Sequence, residues 1–171
     1  MVYPIVKYGQ QVLESKAETV TEFDTPELNK LLEDMFESMY AAKGVGLAAP
    51  QIGIGRRIAV IDTSTGEDPS AKLVMINPEI IGREGTQTSE EGCLSIPDFV
   101  EIVTRPERVK LRYLDRDGIE PDMWGEGLMA RAMCHEIDHL NGTLFVDHLR
   151  GFKKDRILKK ISKLARSGMW G

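Results

Sequence analysis

His135-Glu136-Ile137-Asp138-His139 lies inside a stretch, Glu126 to Asn141, that reads as one helix closed by Gly142. Two imidazoles at i and i+4 leave a helix on the same face, with Cβ atoms about 5–6 Å apart, which suits adjacent positions around one metal ion. Glu136 points beside that face, where a carboxylate can hold a water bound to the metal. The plainer alternative is a solvated helix face that happens to carry two histidines. The choice decides the fold, because a helix that grips a metal between protein ligands must lie inside the molecule.

Two histidines do not complete a site. In one large class of zinc peptidases the motif continues to a glycine and a third histidine. Here Gly142 falls on the glycine, but Phe145 holds the third ligand's place. His148 lies nine residues past His139, beyond the glycine break and out of register. No Glu follows Glu136, so Asp147 and Asp155 are the nearest downstream carboxylates. A thiolate remains, and Cys93 stands in Glu90-Glu91-Gly92-Cys93-Leu94-Ser95-Ile96-Pro97. Two imidazoles, one thiolate and an open fourth position make a hydrolytic site. Cys134 is the rival thiol, but on a helix it is turned about 100° from His135 and about 140° from His139.

Working outward, Pro26 to Ala42 reads as a helix. Asp24 or Thr25 can cap it, and Leu28, Leu31, Leu32, Met35 and Met39 form its apolar stripe. Gly44 is placed to end it in a left-handed conformation. A short helix is expected near Gln10 to Ser15 and a basic one from Phe152 to Arg166. Strands are expected over Arg57–Asp62, Lys72–Asn77, Phe99–Val103 and Val109–Leu114, with a turn at Asp117-Gly118. Strands in the middle and helices at both ends predict an α+β fold over 1–171, a single domain.

Composition agrees with this. A length of 171 residues, 42% apolar and 29% charged, describes one globular domain. The apolar runs Ile58-Ala59-Val60-Ile61 and Leu73-Val74-Met75-Ile76 fall far short of the ~20 residues that cross a membrane. Tyr3 to Thr25 has no apolar core of a secretory signal. Only two cysteines are present, so a disulfide framework is excluded and the cytoplasm is the expected compartment. The net charge of −5 argues against a protein built mainly to grip nucleic acid. The stretch from Arg150 onward nevertheless carries eight basic residues and one acid.

A third segment is Gly44-Val45-Gly46-Leu47-Ala48-Ala49-Pro50-Gln51. It can serve as a helix stop and small-residue connection. It can equally let another backbone approach, with the Gln51 amide donating to an oxyanion.

These three segments, in this order, resemble the signature motifs of the peptide deformylase family. The resemblance runs from about Pro4 to Leu149 and implies a mixed, mainly antiparallel β core around a central metal-binding helix. It implies that Cys93, His135 and His139 bind the metal and that Glu136 is the general acid/base. Gln51 and the Leu94 N–H would then stabilise the oxyanion, while Val45, Gly46, Glu91 and Gly92 would contact the peptide. It implies Fe²⁺ as the natural ion, with Zn²⁺, Ni²⁺ or Co²⁺ as substitutes; ligand chemistry alone fits zinc as well. The implied substrate is an N-formylmethionyl peptide, the implied state a cytoplasmic monomer, and the implied partner of the basic C-terminal helix the ribosome. Cys134 is a departure, since the family commonly has Gln there. Two rival readings are a peptidase of ordinary peptide bonds and a degenerate metal-holding scaffold. The missing peptidase ligand opposes the first, and the retained Glu136 and Gln51 oppose the second.

Overall fold

A computed structural model describes residues 1–170. Four helices form: α1 (Gln11–Glu14), α2 (Pro26–Ala41), α3 (Leu128–Leu140) and α4 (Phe152–Arg166). At the start of α2 the Thr25 hydroxyl accepts from the Leu28 N–H at 3.1 Å, and Pro26 occupies the first turn. Its end differs from expectation. Lys43, at φ 58°, takes the left-handed position in place of Gly44. Gly44 is small for another reason: a Cβ there would lie 2.9 Å from Leu94 Cδ1.

Seven strands follow the chain: β1 (Gly46–Ala48), β2 (Ile58–Ile61), β3 (Leu73–Glu84), β4 (Gln87–Cys93), β5 (Ile96–Arg105), β6 (Arg108–Leu114) and β7 (Asp122–Glu126). Five make one sheet in the order β1-β2-β3-β6-β7, and β4 pairs with β5 alone. All strand pairs are antiparallel. The isolated bridge Glu18–Arg56 supplies a parallel contact. Strand β3 runs well past the expected Asn77 because that residue, at φ 51°, turns the strand at a register shift. The Asn77 side chain pairs there with both Val20 N and Val20 O at 2.9 Å, as a neighbouring strand would.

The apolar run Ile58–Ile61 is fully buried because both faces of its sheet are covered. On one side α2 contributes Leu28, Leu32, Met35 and Met39 against Leu47, Ile58 and Val60. On the other, α3 contributes Ala130, Met133, Ile137 and Leu140 against Ala48, Ala59 and Ile61. A third apolar cluster joins Leu13 of α1, Ile96 of β5, Phe145, and Ile157 and Ile161 of α4. The metal-motif helix is therefore interior.

Asp62 closes β2 with its carboxylate fully buried, accepting from Tyr40, Ser64 and the Gly66 N–H. Burial works against its charge, but the hydrogen bonds from Ser64 and Tyr40 hold its pKa below the usual carboxylate value. Burial and the Asp62 charge together push the Tyr40 phenol up to about 12. Tyr40→Phe removes one donor from this carboxylate and is expected to cost about 1–3 kcal/mol at neutral pH. The contribution is full above the unfolded carboxyl pKa and fades as pH falls through the depressed folded one. Urea unfolding of both proteins at pH 7 and pH 3 checks this; an equal deficit at both refutes it.

Candidate metal centre

Helix α3 is fixed at both ends. Gly127, at φ 57°, turns the chain out of β7 into the helix, which is why α3 starts at Leu128 and not at Glu126. At the other end Arg57 donates to Leu140 O at 2.8 Å and to Asn141 Oδ1 at 3.0 Å, satisfying a carbonyl of the last turn. Gly142, at φ 78°, follows, and a Cβ there would lie 2.6 Å from Glu14 O. Residues 131, 135 and 139 recur at helical spacing, so Arg131, His135 and His139 share a face.

Cys93 enters from the separate β4–β5 hairpin, at a register shift after Gly92. Its Sγ lies 3.2 Å from His139 Nε2, which is itself 3.2 Å from His135 Nε2. All three candidate ligand atoms lie within 4.8 Å of one another. Gln51 is held by its oxygen, which accepts from Ala48 N at 3.0 Å. Its Nε2 is thereby turned toward Cys93 Sγ at 3.7 Å and Ser95 Oγ at 3.3 Å. Leu94 occupies the turn between β4 and β5 beside Cys93.

Glu136 is buried against β1: a Cβ on Gly46 would lie 2.5 Å from its Oε2. The glycine leaves the room that this carboxylate fills. Strand pairing of Gly46 with Ile61 prevents the backbone from retreating. Gly46→Ala is therefore expected to displace the carboxylate and cost about 10²-fold in kcat/KM with the fold intact. Activity within twofold of the parent would refute the close-approach argument.

The electrostatics favour a cation. Burial pushes the Glu136 carboxyl up to about 7. Burial opposes charge on His135 as well, yet Glu136, Cys93 and Glu91 hold its pKa well above that of a free imidazole. Burial and the neighbouring His135 push His139 well below. Glu136 Oε1 is buried without a hydrogen-bond partner among the described residues. A pocket that draws positive charge onto one imidazole, with a thiol and a second imidazole at hand, fits a divalent ion. Soft sulfur and borderline nitrogen donors suit iron or zinc rather than magnesium or calcium.

Glu91 is among the residues that line the cleft over the site, and both oxygens of its carboxylate are taken by neighbouring side chains. One oxygen, Oε2, accepts from His135 Nδ1 at 2.9 Å and Arg105 Nη2 at 2.6 Å; the other, Oε1, accepts from Arg131 Nη1 at 2.9 Å and Arg105 Nε at 3.1 Å. Burial alone would raise its pKa, but the bonds from His135 and Arg105 hold it well below the usual carboxylate range. With Nδ1 donating to Glu91, His135 turns its Nε2 toward His139. Arg105 and Arg131 were not anticipated from the sequence. The recurrence of Arg131 at i−4 from His135 was the available signal; Arg105 needed the β4–β5 pairing to bring it in.

A cleft of about 490 Å³ opens over the site, with Val45, Gly46, Gly92, Val100 and Leu128 among its walls and His135 and Glu136 within it. No helix among the described residues is long and apolar enough to cross a membrane.

The polypeptide deformylase family matches residues 2–155. A peptide deformylase of Acidobacterium capsulatum is 55% identical over 170 residues, covering 99% of each chain. The crystal structure of a peptide deformylase from Legionella pneumophila superposes with a TM-score of 0.90 at 42% identity, covering 98% of each chain. A Met-Ala-Ser-bound peptide deformylase of Acinetobacter baumannii gives a TM-score of 0.81 at 36% identity, over 87% of this chain and 99% of that one. Matched along almost its whole length in both sequence and fold, the chain belongs to the peptide deformylase family, metalloenzymes that remove the formyl group from the N-terminus of nascent peptides.

Proposed function

We propose that Cys93, His135 and His139 hold one Fe²⁺ ion per chain, that Glu136 is the general acid/base, and that Gln51 and the Leu94 N–H stabilise the oxyanion. The observation that carries this reading is the convergence of one thiol and two Nε2 atoms within 4.8 Å, beside a carboxylate lodged against Gly46. When bound, the ion supplies Lewis acidity, lowering the pKa of water and polarising the formyl oxygen; Zn²⁺, Ni²⁺ or Co²⁺ can supply the same.

The protein's own groups do the rest. Strand β1 is an edge strand, paired only with β2, so the backbone at Val45 and Gly46 can pair with an extended peptide. Gly92, which also lines the cleft, has no side chain to obstruct that peptide. The Met-Ala-Ser found on the Acinetobacter relative is a ligand of this kind. Glu136, poised near pH 7 by burial, takes a proton from the attacking water. As the formyl oxygen gains charge, Gln51 Nε2 and Leu94 N–H donate to it, a contribution of about 2.7–4 kcal/mol per donor in comparable sites. Glu136 then delivers its proton to the leaving amine nitrogen, releasing formate and a free N-terminal methionine. Formate release from formyl-Met-Ala-Ser by anaerobically prepared, iron-loaded protein tests the scheme. Cleavage of the internal peptide bonds instead would overturn it.

The chain is read as a cytoplasmic monomer that works at the ribosome. Of the basic residues on α4, Lys153 and Arg156 are paired with Glu101, and Lys154 with Asp147. Lys159, Lys160, Lys163 and Arg166 form no ion pair among the described residues, and the three lysines are the ones proposed as contacts to RNA phosphates. Changing these three to Glu should abolish salt-sensitive sedimentation with ribosomes while leaving peptide turnover unchanged. Unaltered sedimentation would leave α4 a solvated helix.

A further inference from the structure

We propose that His148 is a positioning residue for His135, acting through a relay of Asp138, Arg105 and Glu91. This rests on the reading of His135 as a metal ligand. His148 lies on the turn Phe145–His148, outside the motif helix, and its side chain is 38% exposed. Its Nε2 lies 2.7 Å from Asp138 Oδ2. That same oxygen accepts from Arg105 Nη1 at 2.6 Å. Arg105 then grips Glu91 with Nε and Nη2, and Glu91 accepts from His135 Nδ1. Four hydrogen-bonded steps thus connect a solvent-accessible imidazole to a buried one.

The chemistry of each step is directional. Arg105 has no acceptor, so it cannot receive the His148 proton, and the 3.3 Å approach of Nη1 to Nε2 is two donors sharing Asp138. His148 therefore donates Nε2–H to Asp138, and its donation sets where Oδ2 sits. Arg105 is planar, so fixing Nη1 on Asp138 also fixes the plane in which Nε and Nη2 meet Glu91. The orientation of the Glu91 carboxylate sets the ring of His135. Two arginines, Arg105 and Arg131, balance two carboxylates, Glu91 and Asp138. The N–H donor at His148 completes the network. The turn that carries His148 is anchored, since Phe145 and Val146 on it are fully buried.

The alternative is a pin that merely ties the 145–148 turn to α3. Co²⁺-loaded parent, His148→Leu and His148→Gln proteins separate the two. The relay predicts that His148→Leu shifts the visible Co²⁺ spectrum and speeds transfer of the ion to a chelator by about 10-fold. His148→Gln, which keeps an N–H donor, should restore both. In an Asp138→Asn background His148→Leu should add nothing further. A His148→Leu protein with a lowered Tm but parental spectrum and transfer rate would overturn the relay and leave the pin. If the parent itself takes up no stoichiometric Co²⁺, the metal assignment fails first, and that outcome is distinct.

Discussion

Glu136→Ala is expected to retain one metal ion per chain and to lose about 10²-fold or more in kcat/KM. The two halves of this result come from separate observations. Retention follows because the cluster of converging ligand atoms comprises Cys93, His135 and His139 without Glu136. The loss follows because Glu136 is buried beside them, pushed up to about 7 and without a partner for Oε1. Such a group can both accept and return a proton at neutral pH. Removing it leaves the polarising site intact but strips the reaction of its proton carrier. Metal analysis together with formate release measures both halves. A metal-free Glu136→Ala protein would make Glu136 a ligand and sink the mechanism.

Cys93→Ser is expected to lose the ion, and with it activity, whereas Cys134→Ser keeps both. A serine hydroxyl is a hard, protonated donor and a poor substitute for a thiolate beside two imidazoles. Cys134 is one residue from His135 yet lies in the apolar cluster with Ala48, Ile61 and Met133, its thiol pKa raised by burial. Serine there buries a hydroxyl and should cost about 1–3 kcal/mol of stability, not metal. Elemental analysis of both variants, prepared without oxygen, decides the matter. A stoichiometry of one in active Cys93→Ser protein would transfer the ligand role to another residue.

The helices were legible because their signals are local. Thr25, Pro26 and the Leu28-to-Met39 stripe specify α2 without reference to the rest of the chain, and Ile157, Ile161 and Leu164 at helical spacing do the same for α4. The short run Ile58–Ile61 was readable as a strand for the same reason, while the covering of both its faces needed the packing of α2 and α3. Strand β4 was not, because Gln87-Thr88-Ser89-Glu90-Glu91-Gly92-Cys93 has neither apolar alternation nor strong strand propensity; pairing with β5 makes it a strand. The full reach of β3 was hidden by Asn77, a turn residue whose side chain substitutes for a backbone partner. In the site, motif spacing brought Cys93, His135, His139, Glu136 and Gln51 into consideration. It could not reveal that both Glu91 oxygens are taken by His135, Arg105 and Arg131, because that depends on which faces of β4 and β5 turn inward.

The proposed ligands come from two bodies that share no strand ladder and meet through side chains, Glu91 and Arg105 of the hairpin against Arg131, His135 and Asp138 of the helix. His135 and His139 ride on a helix cemented to the five-stranded sheet, while Cys93 ends a two-stranded hairpin that shares no ladder with it. An ion bound by all three is then a rivet between these bodies as well as a reagent. Occupancy at 100 times the dissociation constant would add about 2.7 kcal/mol to the folded state. Loss of the metal would then shorten the protein's lifetime as well as stop its turnover. The first region to open would be the hairpin from Gln87 to Arg105, whose detachment exposes the cleft wall to proteolysis.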